Sequence, residues 1–336
     1  MKAVVYTGPG QLEYRQVLKP KIKVDEILLK TKSVGICGTD LHAYKGGLNL
    51  PVPAIFGHEF SGVIAEVGAH VKNFKKGDRV TAEHIVNCGH CYYCLSGKPN
   101  LCANSQVIGL QLPGALAEYV AIPARLVYKL PKNLTFVEGA MIEPLSIAYY
   151  ASEKAGSLLN RKVAVIGQGP IGLFLDQILH SSGAEVIGLD IAQWRLKFAK
   201  KNKWIDLAIN NAKQEPAKII KKKYPSGVDI VFEVVGSTAT AELALELARR
   251  NGQVFNLGVF ESVSKINLMN IVKKELIVRG SWTCAFAFQP AIELVAEKKI
   301  DLKTMVSHQY PVSRAIQAFK DAVSYKDNRI KTVINF

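Results

Sequence analysis

The chain lacks any long apolar run, is poor in cysteine and carries far fewer acids than bases, and each shortage removes a class of protein. No uninterrupted apolar stretch approaches the roughly 18 residues that mark a membrane-spanning helix, so no membrane partner is expected. Six cysteines among 336 residues are too few for a disulfide-stapled scaffold. The opening Met1-Lys2-Ala3-Val4-Val5-Tyr6 runs into a strand-like stretch, without a basic segment followed by a cleavable apolar one. A reducing, cytoplasmic setting is therefore expected. Asp and Glu number 28 against 43 Lys and Arg, a formal net charge of +15. Such an excess would suit nucleic acid, but the lysines are scattered over separate segments: Lys72, Lys75 and Lys76; Lys197, Lys200, Lys201 and Lys203; Lys218, Lys221, Lys222 and Lys223. No aromatic-interleaved platform or recognition helix accompanies them, so the charge reads as solvated helix faces with a bias toward anionic ligands, and nucleic acid is set aside as a partner.

What remains is a globular composition, 49% apolar and 21% charged, long enough for about two domains. Two textures divide it, with no internal repeat or low-complexity linker between them. Up to about residue 148, short strand-like runs such as Glu26 to Lys30, Ser61 to Val67 and Tyr119 to Ile122 alternate with glycine and proline, the pattern of a partly open β-barrel with little helix. From about Arg161 the pattern changes to βαβ rhythm, with apolar strands at Val163 to Ile166, Glu185 to Leu189, Asp229 to Phe232, Gln253 to Leu257 and Leu276 to Val278. About six parallel strands with helices between them are expected there.

Four of the six cysteines, Cys88, Cys91, Cys94 and Cys102, fall within fifteen residues as C-x2-C-x2-C-x7-C. Tetrahedral zinc takes four thiolates at about 2.3 Å, and closely spaced cysteines on one loop converge on it without a core behind them, so the cluster reads as a structural zinc site. A disulfide knot is the alternative, and the remainder of the chain argues against it. His90 lies inside the cluster, but four thiolates already complete the shell.

The first strand of the second region ends in Gly167-Gln168-Gly169-Pro170-Ile171-Gly172. This G-x-G-x-x-G between a strand and a helix is a dinucleotide fingerprint: Gly167 for the turn, Gly169 for backbone approach to a pyrophosphate, Gly172 for close helix packing, with Pro170 and Ile171 opening the helix. Asp190 ends the next strand, where an acid accepts the ribose hydroxyls of NAD. Arg195 close by is the kind of residue that accommodates a 2′-phosphate, so NADP is the lesser expectation.

Cys37 sits in Gly35-Ile36-Cys37-Gly38-Thr39-Asp40-Leu41-His42, and His58 and Glu59 sit in Gly57-His58-Glu59-Phe60. A thiolate, an imidazole and a carboxylate would leave zinc with an open position, the arrangement of a catalytic site. Singly, each is more often a packed core residue.

Taken in order along essentially the whole chain, the Cys37 segment, Gly57-His58-Glu59, the four-cysteine lobe, Glu143-Pro144-Leu145-Ser146 and the glycine fingerprint with Asp190 resemble the zinc-containing medium-chain dehydrogenases, among them alcohol, sorbitol and threonine dehydrogenases. The resemblance implies an α/β chain: a GroES-like β-rich catalytic domain over residues 1–148, a Rossmann NAD-binding domain with a doubly wound parallel sheet over 149–284, and a return to the catalytic domain over 285–336, with the active site in the cleft between domains. It implies two zincs per chain, one structural and one catalytic. Cys37, His58 and Glu59 become catalytic-zinc ligands, with Glu143 as the alternate, since in some relatives the glutamate after the histidine stands behind the metal. Asp40 matches the position that bonds the ligand histidine. Thr39 and His42 match a hydroxyl and imidazole that pass the alcohol proton toward solvent. The loops at Gly258-Val259 and Ser281 to Cys284 fall near the nicotinamide, with Cys284 itself read as a buried small hydrophobe. The activity implied is NAD-dependent oxidation of a secondary alcohol of a polyol or sugar alcohol, free or phosphorylated. L-threonine 3-dehydrogenase or a short-chain alcohol dehydrogenase is the alternative, and a non-catalytic NAD- and zinc-binding protein is the alternative of a different class. Family members are commonly dimers or tetramers, so a homo-oligomer is expected. One departure is Trp204-Ile205-Asp206, where relatives often carry a Gly-Ala-Asp turn.

Overall fold

In the computed structural model, which describes residues 1–260, 262–324 and 327–336, the chain forms two compact units. One comprises Met1–Ser146 with Ala285–Phe336, the other Ile147–Cys284. No helix among the described residues is long and apolar enough to cross a membrane.

The first unit is β-rich. Its central strand, Glu26–Ile36, pairs antiparallel with Glu59–Val67 on one side and Lys331–Asn335 on the other, and its first residues also pair with Tyr119–Pro123. Arg79–Ala82 and Val127–Lys129 extend the sheet beyond Glu59–Val67, and Val306–Pro311 extends it beyond Lys331–Asn335. A three-stranded sheet of Gln11–Gln16, Lys2–Gly8 and Ala54–Ile55 stands beside it. The core is filled by Phe56, Phe60, Phe319, Ile27, Leu29 and Ile64, each worth about 1.5–3 kcal/mol of transfer from water. Up to Ala140 the helices are short, as the glycine and proline punctuation predicts, and the returning segment adds the longer Phe288–Ala296 and Ala315–Ser324.

The central strand runs six residues further than the apolar run Glu26 to Lys30 shows. Register shifts at Leu28/Leu29 and Thr31/Ser33 break the alternation that a sequence reader follows, and Gly62 supplies the room, because a Cβ there would collide with the Lys30 carbonyl. The extension matters for chemistry. It delivers the chain at Ile36 directly into Cys37, which caps the helix Gly38–Tyr44.

The second unit carries six parallel strands in the order Leu207–Asn210, Glu185–Asp190, Lys162–Ile166, Val228–Glu233, Ala248–Asn256, Ile277–Gly280. Lys162–Ile166 and Val228–Glu233 are central and buried on both faces, so they read as nearly continuous apolar runs. Phe232 and Phe255 stack across neighbouring strands at 5.2 Å. The order reverses at Lys162–Ile166, the kind of switch point beside which ligands bind in open α/β sheets. The strand Ala248–Asn256 begins five residues before the apolar run at Gln253, since Arg249, Arg250 and Asn251 are polar strand residues with an irregular register against Val228–Glu233. At Trp204-Ile205-Asp206 the missing glycine is met by Lys203 adopting φ 59°. Trp204 packs edge-on against Phe198, and Asp206 accepts the Val186 N–H at 2.8 Å.

Candidate functional site

Three local structures position the candidate ligands of the first unit. Cys37 closes the central strand and opens a helix, held by its own N–H donating to Asp40 Oδ2 at 2.9 Å. His58 follows Gly57, whose φ of 96° turns the chain and whose missing Cβ leaves room for Val34. Glu59 begins the strand Glu59–Val67 opposite Gly35, where a Cβ would strike Glu59 Oε2. One donor atom from each of Cys37, His58 and Glu59 lies within 4.8 Å of the others.

The electrostatics fit a cation. His58 Nδ1, Asp40 Oδ1 and Glu59 Oε2 are buried with no hydrogen-bond partner, and Asp40 Oδ1 faces His58 Nδ1 at 3.4 Å. Burial works against charge on His58, but Asp40 and Cys37 outweigh it and hold the imidazole well above its ordinary pKa. A pocket that draws a proton onto a buried imidazole suits a metal ion in that place. The donor set, one thiolate, one imidazole and one carboxylate, is that of an open zinc site.

Two buried partners were not signalled by any motif. Lys331, on the strand Lys331–Asn335, donates to Glu59 Oε1 from 272 residues away. Burial opposes the charge on Lys331, and the Glu59 carboxylate outweighs it, so its pKa stays above the ordinary lysine value. Glu59 thus has one oxygen tied to an ammonium and the other turned free. His84, which belongs to no sequence motif, stands beside Glu143, Nδ1 to Oε1 3.0 Å, and its ring lies 5.4 Å from that of His58. Burial would raise the Glu143 carboxyl, but His84 outweighs it and holds it below its ordinary value. Glu143 is buried next to the trio without belonging to it. A lone lysine inside an apolar strand was the available signal for Lys331; His84 offered none.

Thr39 and His42 share the helix Gly38–Tyr44 at a spacing that puts them on one face. Thr39 Oγ1 lies 3.7 Å from Cys37 Sγ. His42 is half-buried over Gly47, where any Cβ would strike its ring.

The four-cysteine lobe is compact and free of disulfides. Cys88, Cys91, Cys94 and Cys102 place their sulfurs within 4.8 Å of one another, with Cys91 to Cys94 3.5 Å and Cys88 to Cys94 4.0 Å. The Cys94 backbone N–H pulls the Cys91 thiol down to about 6, while burial and the neighbouring sulfur of Cys91 push Cys94 up to about 11. Four sulfurs this close repel as thiolates, so the set calls for a cation. His90 turns away, its Nδ1 2.8 Å from the Cys88 carbonyl.

In the second unit, Gly167 takes φ 101° and Gly169 caps the helix Pro170–Ser181, with Pro170 and Ile171 in its first turn. A Cβ on Gly172 would collide with the Gly167 carbonyl. Asp190 receives the Gln168 N–H on Oδ2 and the Ala192 N–H on Oδ1, each at 2.7 Å, and Arg195 Nη1 lies 3.8 Å from Oδ2. Gly258 packs so tightly on Gly236 that a Cβ would strike its N, and Val259 beside it is exposed. Cys284 is buried and Trp282 is exposed. The helix N-terminus and glycine loop present backbone N–H groups of the kind that hold a pyrophosphate.

Comparison with known proteins agrees with this geometry. Residues 23–132 match the alcohol dehydrogenase GroES-like domain, and residues 170–297 match the zinc-binding dehydrogenase family. The chain is 36% identical over 337 residues to a sorbitol dehydrogenase of Halalkalibacterium halodurans, covering 97% of this chain and 98% of the relative. It is 34% identical over 344 residues to a D-arabitol-phosphate dehydrogenase of Enterococcus avium, covering 99% of this chain and 97% of the relative. Among solved structures, one named as a short chain alcohol dehydrogenase of Escherichia coli CFT073, in complex with NADH, superposes with a TM-score of 0.95 at 30% identity, covering 100% of this chain and 99% of the other. A proposed zinc-binding dehydrogenase of Sinorhizobium meliloti 1021, bound to NADP, superposes with a TM-score of 0.93 at 30% identity and the same coverage.

Proposed function

The chain belongs to the zinc-containing medium-chain alcohol dehydrogenase family, and we propose that within it this protein oxidises a secondary alcohol of a polyol or sugar alcohol, free or phosphorylated, to a ketone with NAD. One observation carries the reading: Cys37, His58 and Glu59 converge within 4.8 Å, with Glu59 Oε1 taken by Lys331 and Oε2 buried and unpartnered. Those three residues would hold the catalytic zinc, with Glu143 as the alternate ligand, and the four cysteines would hold the structural one. Bound there, zinc would supply a Lewis acid that acidifies a substrate hydroxyl, and NAD would supply the hydride acceptor.

The remaining roles belong to this chain's own side chains. Asp40 orients His58 and keeps negative charge behind it. Lys331 leaves Glu59 a single free oxygen. Thr39 takes the hydroxyl proton of the substrate, and His42, half-buried at the end of the same helix face, passes it to solvent. Gly167, Gly169 and Gly172 let backbone approach the dinucleotide with Pro170 and Ile171 in the first helical turn, Gly258 and Val259 border it, and Asp190 accepts the ribose hydroxyls. The Asp190 carboxylate favours NAD; Arg195, beside it, is the residue that would tolerate a 2′-phosphate.

A panel of polyols, phosphorylated polyols, L-threonine and short alcohols, each with NAD and NADP, tests the reading. Highest kcat/KM is expected with a polyol and NAD. Turnover of L-threonine alone would replace polyol by amino acid oxidation, and two bound zincs with no turnover of any alcohol would favour a binding protein.

A further inference from the structure

Two buried carboxylates border the Cys37 pocket, and only Glu59 belongs to the trio with Cys37 and His58. Zinc held by a thiolate, an imidazole and one carboxylate keeps an open position, which a second carboxylate would close. Glu143 is the acid placed to do so, since it interacts electrostatically with Glu59, His58 and Lys331. What separates the two acids is the side chain that holds each of them. Lys331 takes Glu59 Oε1 and leaves Oε2 buried and unpartnered among the candidate ligands. On Glu143 the holder is His84.

His84 Nδ1 stands 3.0 Å from Glu143 Oε1 and has no other partner among the described residues. An ionised carboxylate only accepts, so the hydrogen lies on Nδ1. The two residues are 6% and 4% exposed, and a hydrogen bond to a charged group counts for more in such surroundings than at the surface. The backbone under His84 is fixed on both sides. Glu83 N–H donates to the Leu126 carbonyl and the His84 carbonyl accepts from Ile108 N–H, each at 2.9 Å, and Ile85–Val86 pairs with Gln106–Val107 directly after it. Glu143 lies in the first turn of the helix Ile142–Glu153, its own carbonyl accepting from Ser146 Oγ at 2.6 Å. The His84 ring is 5.4 Å from that of His58, so this anchor stands against the candidate ligands themselves.

We propose that His84 is a positioning residue that holds Glu143 outside the metal shell, so that Glu59 is the one carboxylate ligand and a coordination position stays open for the substrate hydroxyl. The inference deepens the proposed catalytic zinc site and rests on it. His84 acts through Glu143. Without it a buried carboxylate loses its donor, and the metal beside it is the counter-charge that takes the donor's place.

The test loads the Cys37 pocket with cobalt(II), whose visible bands weaken as coordination rises from four to five, and leaves zinc in the four-cysteine lobe. Wild type is compared with His84→Ala, His84→Asn and the double variant His84→Ala, Glu143→Gln, and each is titrated with azide as a probe of the open position. Wild type should show intense bands that shift with azide. In His84→Ala the bands should be weaker before azide is added, and azide affinity should fall by at least about tenfold, the scale of losing a residue behind a metal ligand. Asparagine keeps an N–H donor close to where Nδ1 stands, so His84→Asn should resemble wild type. The double variant should regain the wild-type bands and azide response, because the intruding carboxylate is gone. A wild-type spectrum and azide affinity in His84→Ala would overturn the proposal, as would loss of cobalt from the pocket in that variant or a double variant that stays like His84→Ala. Should His84→Ala not fold, His84→Leu, which fills the space without a donor, takes its place in both the single and the double variant. A wild type that took up metal in the four-cysteine lobe alone would overturn the catalytic-zinc reading itself, an outcome separate from an unchanged His84→Ala.

Discussion

Lys331 and Glu59 meet across 272 residues of sequence, and their pairing sets what the candidate metal pocket presents. Removing one partner of a buried pair leaves an uncompensated charge, at a cost of about 3–5 kcal/mol. Lys331→Met should therefore lower stability toward urea by that order and reduce zinc retained at Cys37, His58 and Glu59, while the four-cysteine site keeps its metal. Unchanged zinc content and unfolding midpoint would show that the pair does neither. Thr39 and His42 form a separate prediction, because they lie on one helix face beside Cys37 and are assigned the proton path. General acid-base assistance is worth about 10²–10⁴-fold, so Thr39→Ala and His42→Ala should each lower kcat by about a hundredfold or more and flatten the pH profile, at unchanged zinc content. Wild-type turnover and pH dependence in both variants would remove the relay.

At the scale of elements, the four-cysteine lobe is held by little else. Its helix Tyr92–Leu95 is a single turn with no buried residue, and Tyr92 and Leu95 are exposed. The lobe has no apolar core to replace a lost ligand, so Cys94→Ser should lower the melting temperature and release one zinc while leaving the Cys37 site chemically intact. Loss of catalysis with both zincs and the melting temperature preserved would contradict the division into structural and catalytic metal. What the sequence disclosed also sorts by element. Cys88 to Cys102 and Gly167 to Gly172 were legible because each constellation lies on one continuous stretch, where spacing alone encodes geometry. The central strands of the parallel sheet were legible for a related reason, since strands buried on both faces read as plain apolar runs, whereas the half-buried edge strand Leu207–Asn210 matches none of those runs. The extension of Glu26–Ile36 was hidden by two register shifts, and the start of Ala248–Asn256 by its arginines. His84 beside Glu143 and Lys331 on Glu59 were not legible, because each pairing is made by tertiary folding and no local pattern records the partner. A lysine leading the apolar strand Lys331–Asn335 was the faint mark the second of these left.

For the molecule as a whole, the β-rich unit contains both candidate metal clusters and the parallel-sheet unit contains the dinucleotide fingerprint. The excess of positive charge fits this account as a bias toward anionic ligands, among which a phosphorylated polyol is one the substrate panel includes. If the Cys37, His58 and Glu59 pocket does the chemistry, polyol-dependent reduction of NAD, followed in wild type and in His58→Ala with zinc quantified in the same samples, must fall with the metal. Two zincs and steady NADH formation are expected in the wild type, and one zinc with the rate lowered by at least about a hundredfold in the variant. NADH formation at the wild-type rate after loss of the metal from that pocket would place the chemistry elsewhere.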